Sequence, residues 1–302
     1  MKHFVISIGL WLAISLSLWA QYDNKNQLPT PPHSPSDTSI ELNVLSWNIY
    51  MLPTRIFKDM GQEERAQLIA DTLLKCQYDV IVFSEAFHQK ARHILAKKLL
   101  PTYPYQSKVG NRKFGLKTNS GVWIVSRFPL KMLGEIQFES CTGFDCWARK
   151  GAMLLSIEKN GKTFQILGTH LQSGEGAQRD TIRCQQYRDI YQQLLLPQQQ
   201  QGIPQIIAGD MNTIATYSQM LQLLNAQDTQ QGEINYTWAT PDYGNYQFLF
   251  DYILTRPNGT TILEQHSQKN QFTHEWQLHK KNYLDLSDHY GLALKIRFGF
   301  DK

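Results

Sequence analysis

The sequence predicts an α/β fold, on three observations. Short continuous apolar runs such as Val80-Ile81-Val82-Phe83 have the pattern of strands covered on both faces. They alternate with stretches such as residues 63–74, where Ala66, Ile69, Ala70, Leu73 and Leu74 recur at helical spacing. Polar residues able to carry chemistry stand where the apolar runs stop, and α/β folds place their sites there.

The alternation opens with a β-rich run at residues 40–49, followed after a loop by the helix of residues 63–74. The strand at 80–83 ends in Ser84-Glu85, and a second helix carries Ala91, Ile94, Leu95 and Leu99. Residues 121–125 form another short apolar strand. Residues 153–157 and 164–167 flank Asn160-Gly161, which favours the two-residue turn of a β-hairpin, and the hairpin ends in Gly168-Thr169-His170. A helix through Ile182, Ile190, Tyr191, Leu194 and Leu195 precedes a strand at 205–208 that stops at Gly209-Asp210-Met211-Asn212. An apolar strand over 248–254 carries Asp251 inside it. Ser287-Asp288-His289 stands just before a last strand at 292–298, and no repeat of fixed period appears.

The 302 residues are 42% hydrophobic and 19% charged, which excludes collagen-like, coiled-coil and wholly disordered classes and suits one large domain with appendages. Lys plus Arg exceeds Asp plus Glu by 30 − 26 = 4, a balance that neither demands nor excludes a nucleic acid or a membrane. Lys2 and His3 precede an apolar stretch at residues 4–19 closing on Trp19-Ala20-Gln21, the pattern of a signal peptide at 1–20. Residues 21–39, with Pro29, Pro31, Pro32 and Pro35 among polar residues, are expected to form a flexible linker. That leaves 40–302 as the folded domain and makes the chain an expected secreted protein. Export makes disulfides feasible. Of Cys76, Cys141, Cys146 and Cys184, the close pair Cys141 and Cys146 is the best candidate for a bridge, and four cysteines without a nearby His do not make a zinc site.

Asn48, Glu85, His170, Asp210, Asn212 and His289 each lie at or just beyond the end of a predicted strand, so one rim can gather them. Taken singly, each has an ordinary explanation: Asn48 a turn residue, Glu85 a helix cap, His170 a surface histidine. Asp251, inside Phe-Leu-Phe-Asp-Tyr-Ile-Leu, must find a partner, and a histidine is the natural one. Oxygens of Glu, Asp and Asn suit a hard divalent cation such as Mg²⁺, with Glu85 the first candidate ligand. Two histidines accompany them, and Asp251 could orient one as a general base. A metal and a base point to hydrolysis. No Gly-rich phosphate loop, dinucleotide fingerprint or Gly-x-Ser-x-Gly elbow is present, which sets aside kinases, dehydrogenases and α/β-hydrolases. A phosphodiester fits best, because its anionic oxygens bind metal and its hydrolysis needs a base and stabilisation of pentavalent charge.

Five motifs occur in order: Trp47-Asn48-Ile49-Tyr50-Met51-Leu52, Ser84-Glu85-Ala86-Phe87, Gly168-Thr169-His170-Leu171, Gly209-Asp210-Met211-Asn212 and Ser287-Asp288-His289. On them the chain resembles the endonuclease/exonuclease/phosphatase superfamily and, within it, the secreted bacterial neutral sphingomyelinases, from residue 41 to the end. Gly61-Gln62-Glu63-Glu64-Arg65-Ala66, Gly121-Val122-Trp123-Ile124-Val125-Ser126 and Lys150-Gly151 extend the likeness. The resemblance implies a four-layer sandwich of two packed mixed β-sheets flanked by helices, like deoxyribonuclease. It implies a rim site for Mg²⁺, or else Mn²⁺ or Co²⁺, with ligands among Glu85, Asn48, Asp210, Asp288 and His289. His289 would take a proton from the attacking water and Asp251 would orient it. Asp210 and Asn212 would hold the nucleophile, a metal or a phosphoryl oxygen, and His170 would stabilise developing charge or help the leaving group. Lys150 would sit over the phosphate with Asp145 as its switch partner, an ordinary surface ion pair being the alternative.

The activity so implied is hydrolysis of sphingomyelin to ceramide and phosphocholine at a phospholipid membrane, by a monomer with no nucleic-acid partner. A nuclease of the same superfamily would use the same groups. Against it, Ala86-Phe87 follows Glu85 where abasic-site nucleases usually show Thr-Lys, Ile49-Tyr50-Met51-Leu52 follows Asn48 in place of a Gly-rich turn, and no basic stripe is visible. A surface-binding module that has lost the reaction is the other alternative, although every expected polar position is filled. Secreted sphingomyelinases often carry a long aromatic hairpin that dips into the bilayer; residues 271–281 offer only Phe272, Trp276 and Leu278 among polar residues, which leaves bilayer contact by this segment open.

Overall fold

The computed structural model describes residues 39–300, apart from 55–56, 112–116, 231–233 and 241–244. The expected signal peptide, and all but the last residue of the expected linker, lie outside the described residues. The chain divides into units Met1–Thr38 and Ser39–Lys302, and everything below belongs to the second.

Two mixed sheets of six strands stack face to face, with strands β1–β16 and helices α1–α4 numbered in chain order. The first sheet runs β13 (Thr261–Asn270), β16 (Gly291–Gly299), β1 (Ser39–Asn48), β2 (Val80–Ser84), β4 (Trp123–Ser126), β3 (Tyr105–Gln106). The second runs β5 (Lys131–Gln137), β6 (Gly151–Lys159), β7 (Lys162–His170), β8 (Gln205–Asp210), β12 (Asp251–Arg256), β9 (Gln227–Asp228). Helices α1 (Gln62–Leu73) and α2 (Gln89–Leu99) cover the first sheet, while α3 (Ala177–Ile190) and α4 (Tyr217–Leu224) cover the second. Two hairpins stand apart, β10 (Trp238–Thr240) with β11 (Tyr246–Phe248) and β14 (Thr273–Leu278) with β15 (Lys281–Asp285).

The continuous apolar runs follow from this layering. Along β2, Val80 and Val82 enter the core between the sheets, while Ile81 and Phe83 enter the core beneath α1 and α2. In β8, Ile206 and Ala208 join the inter-sheet core and Ile207 faces α3 and α4. A strand whose two faces are both buried has no polar face to show, and each fully buried aliphatic side chain contributes about 1.5–3 kcal/mol. The sheets approach closely at Gly168, where a Cβ would meet Val82, Val122 and Ile124 at 3.0 Å.

The β6–β7 hairpin forms as expected, with Asn160 and Gly161 at φ 51° and 73°, the left-handed pair that a type I′ turn requires. Cys141 and Cys146 are bridged, and Cys76 and Cys184 are free thiols. The apolar run 248–254 is not one strand. Phe248 ends β11, and the chain enters the second sheet only at Asp251, because the Phe250 and Asp251 amides donate to the Thr237 hydroxyl and hold a crossing there. The long edge strand β13 escapes the sequence pattern because only one of its side chains is buried, which leaves its residues free to be polar.

Candidate active site

The topology brings distant strand ends to one rim. β1 and β2 are parallel, as are β7 and β8, so Asn48, Glu85, His170 and Asp210 sit at their carboxyl ends. β12 runs antiparallel to β8 and starts with Asp251 opposite Asp210. The amino end of β16, antiparallel to β1, delivers Ser287, Asp288 and His289 to the same rim.

Asp210 is the hub. Its Oδ1 accepts from the Asn212 amide at 3.0 Å, and its Oδ2 accepts from Asn48 Nδ2 at 2.9 Å. The same Oδ2 lies 3.6 Å from His170 Nε2 and 3.8 Å from His289 Nε2. Asn48, a candidate ligand, thus turns its amide nitrogen toward the carboxylate and toward His289 Nε2 at 3.4 Å, while its Oδ1 accepts from the Tyr50 amide. His289 Nδ1 is 2.7 Å from Asp251 Oδ2. Lys150 Nζ lies 2.9 Å from Asp145 Oδ1 and 3.0 Å from His170 Nε2, and donates to the Leu171 carbonyl at 2.8 Å. That carbonyl also accepts from Asn212 Nδ2, which joins the lysine to the Asp210 side of the site. Asp145 Oδ2 is held by the amide and hydroxyl of Ser173. Asp288 stands at the edge, where Trp238 Nε1 and the Ser287 hydroxyl approach its carboxylate.

Backbone strain marks the same rim. Tyr50 and Glu85 have φ of 49° and 57°, a left-handed conformation costing about 1–2 kcal/mol for such residues, and Asn212, at 48°, is of a type that adopts it readily. The Glu85 carbonyl accepts from Met51 and Phe87 amides, and the Tyr50 carbonyl accepts from Arg65, which holds the turns in place.

Burial sets the charge states. Glu85 is raised to about 7, by desolvation and then by Asp288. His170 is lowered to about 3 by burial and by the adjacent Lys150 ammonium, so its ring is neutral and accepts from the lysine. Burial alone would lower His289 too, but Asp251, Asp210 and Asp288 overcome it and raise the imidazole to about 10.

Ligand atoms of Glu85, His170 and Asp210 lie within 4.8 Å of one another, as do those of Asp210, Asp251 and His289. Glu85 Oε2 is buried without a hydrogen-bond partner. An orphaned carboxylate oxygen beside a second carboxylate is the environment a divalent cation relieves, so these residues fit one. A cation there would neutralise the charges that hold the extra proton on His289, returning the ring toward the range in which it accepts one.

Two further residues tie the rim together without touching the reacting groups. Arg65, 2% exposed, donates to the carbonyls of Ile49, Tyr50, Met60 and Leu286, tying the loop after Asn48 to the segment before His289. Burial lowers it to about 10, opposed by Asp288. Its signal was an arginine in the apolar stripe Arg65, Ile69, Leu73 of α1. The Ser287 hydroxyl donates to the Asn48 carbonyl at 2.7 Å and accepts from the His289 amide, joining the first and last motifs.

The model of the Endonuclease/Exonuclease/phosphatase family matches residues 45–289. Phospholipase C from Staphylococcus aureus is 30% identical over 293 residues, covering 83% of this chain and 86% of that protein. Sphingomyelinase C from Listeria ivanovii is 29% identical over 285 residues, covering 82% and 84%. The crystal structure of a Staphylococcus aureus beta toxin mutant with bound magnesium ions superposes with a TM-score of 0.74 at 27% identity, covering 87% of this chain and 100% of that one. The family match spans every site motif, and the chain belongs to the Endonuclease/Exonuclease/phosphatase family.

Proposed function

We infer that the protein is a metal-dependent phosphodiesterase that hydrolyses sphingomyelin to ceramide and phosphocholine. The observation that carries this is the convergence on Asp210 of Glu85, His170 and the Asp251–His289 pair, in a chain whose relatives are named sphingomyelinase C and phospholipase C.

Glu85 and Asp210 would hold the cation, Mg²⁺ on the precedent of the beta toxin structure, with Asp288 nearby. When bound, it would polarise the phosphodiester and acidify water. The chain's own residues do the rest. His289, its Nδ1 engaged by Asp251, takes the proton of the attacking water at Nε2. Asn48 and Asn212 fix the Asp210 carboxylate. Lys150 sets a positive charge beside neutral His170, where the pentavalent phosphate gains charge. The water oxygen bonds to phosphorus as its proton passes to His289, the bond to the ceramide oxygen breaks, and that oxygen takes a proton from solvent, to which His289 later yields its own.

The apolar stretch at residues 4–19, acting as a signal peptide, would deliver the enzyme outside the cell. The test offers the purified protein sphingomyelin vesicles, phosphatidylcholine vesicles and plasmid DNA, each with Mg²⁺ or EDTA. Phosphocholine release from sphingomyelin with Mg²⁺ supports the assignment. DNA nicking without phosphocholine release overturns it.

A further inference from the structure

Bilayer contact is the open requirement of an enzyme with this substrate, and the inference here rests on that reading. The β14–β15 hairpin does not supply aromatic anchors. Trp276 is buried, stacks on Tyr283 at 4.7 Å, and packs so tightly on Gly61 that a Cβ there would overlap its ring. Phe272 lies against Trp47 at 4.7 Å. The strongly exposed large apolar side chain of the hairpin is Leu284.

Exposed aromatics occur elsewhere on the site's margin. Phe144 and Trp147, 83% and 60% exposed, project from the 3-10 turn at Gly143–Trp147. The Cys141–Cys146 disulfide closes this turn, and between the two aromatics Asp145 points the other way, to Lys150 and Ser173. One short loop therefore grips the site with its carboxylate and shows water its rings. Water-exposed Phe and Trp carry a standing cost that transfer to a lipid interface removes. A bridged loop is already ordered, so docking loses little conformational entropy. Three cations lie beside it: Arg179 lies 3.9 Å from the position a Cβ on Gly143 would take, Arg149 follows two residues after Trp147, and exposed Lys117 lies alongside, its carbonyl accepting from Arg149. Exposed aromatic side chains with Lys and Arg beside them match an interface where apolar chains begin just beneath phosphates.

We propose that the Cys141–Cys146 loop is the membrane anchor of this protein, with Phe144 and Trp147 entering the outer interface of a phosphocholine bilayer. Among the described residues no helix is long and apolar enough to cross a membrane, and this loop would only touch its surface. The anchor also places Lys150, through Asp145, on the side from which a lipid headgroup arrives.

The test measures flotation of the full protein with vesicles of sphingomyelin and phosphatidylcholine in EDTA, so that binding is read without turnover. The double variant F144S/W147S is expected to need about ten-fold more lipid or more for half-binding, with an unchanged far-ultraviolet spectrum and melting temperature, whereas L284S stays within about two-fold of wild type. Brominated phosphatidylcholine is expected to quench a component of the tryptophan emission that W147F lacks. Equal binding by wild type and the double variant overturns the anchor, as does weakened binding of L284S alone or loss of self-association in the double variant with vesicle binding intact. Failure of wild type to release phosphocholine from the same vesicles with Mg²⁺ would instead overturn the activity, while the binding comparison in EDTA still decides the anchor.

Discussion

Nδ1 of His289 lies 2.7 Å from Oδ2 of Asp251, a carboxylate with no exposed surface at all. The contact fixes the imidazole so that Nε2 faces Asp210 and Asn48. Asp251→Asn keeps the volume but lets an amide donate to Nδ1, which stabilises the opposite tautomer and puts the ring proton where water must deliver one. It is predicted to lower kcat about 10³-fold or more with KM little changed. Steady-state kinetics on sphingomyelin checks this; a loss under about ten-fold contradicts the pairing.

Glu85, raised to about 7 by burial and by Asp288, must lose its proton before it can hold a cation. The Mg²⁺ concentration for half-maximal activity is therefore predicted to rise as pH falls below about 7. Glu85→Gln is predicted to abolish that pH dependence and to cost at least about 10² in turnover. Metal titrations between pH 5.5 and 8.5 read both effects.

In the metal-free protein the two histidines act on stability in opposite windows. His289, raised to about 10, contributes stability that is complete below the unfolded value near 6.5 and is lost as pH climbs toward 10. His170, lowered to about 3, contributes stability that is complete above about 6.5 and is lost as pH falls toward 3. Urea midpoints measured in EDTA are predicted to fall on both sides of neutrality, and His289→Gln is predicted to flatten the alkaline limb alone.

Lys150 is nearly buried between Asp145, His170 and the Leu171 carbonyl. Lys150→Met is predicted to cost about 10²–10³ in kcat, and Asp145→Asn, which leaves the ammonium and its other two contacts, about ten-fold. Similar losses for the two variants would mean that Asp145 does more than hold the lysine.

Gly209, in β8 between the inter-sheet core and Asp210, has φ 153°, and a Cβ there would collide with the Thr169 carbonyl of the neighbouring strand. Gly209→Ala is predicted to destabilise the fold by about 3 kcal/mol or more, read as a drop in urea midpoint.

Much of this was legible in the chain. The two-sided burial of β2 and β8 wrote itself as unbroken apolar runs, and Asn48, Glu85, His170 and Asp210 were visible because polar residues at the ends of such runs must find water or one another. Asp251 announced its need for a partner by standing in an apolar segment. Edge strands β5 and β13 stayed hidden because exposed faces relax the alternation, and the break at Phe250 depended on a hydroxyl at Thr237, remote in sequence. Arg65 shows in the chain only as a charge within an apolar stripe, and its role stayed hidden for a different reason. Its partners are four carbonyls, and a carbonyl leaves no trace in residue type.

Phosphocholine release from sphingomyelin vesicles by wild type and His289→Ala, each with Mg²⁺ and with EDTA, bears most directly on the claim that groups around Asp210 form one hydrolytic centre. Release by wild type is expected with Mg²⁺ alone, and a rate at least about 10²-fold lower is expected for the variant. Near-normal release by His289→Ala, or release by wild type that persists in EDTA, would contradict it.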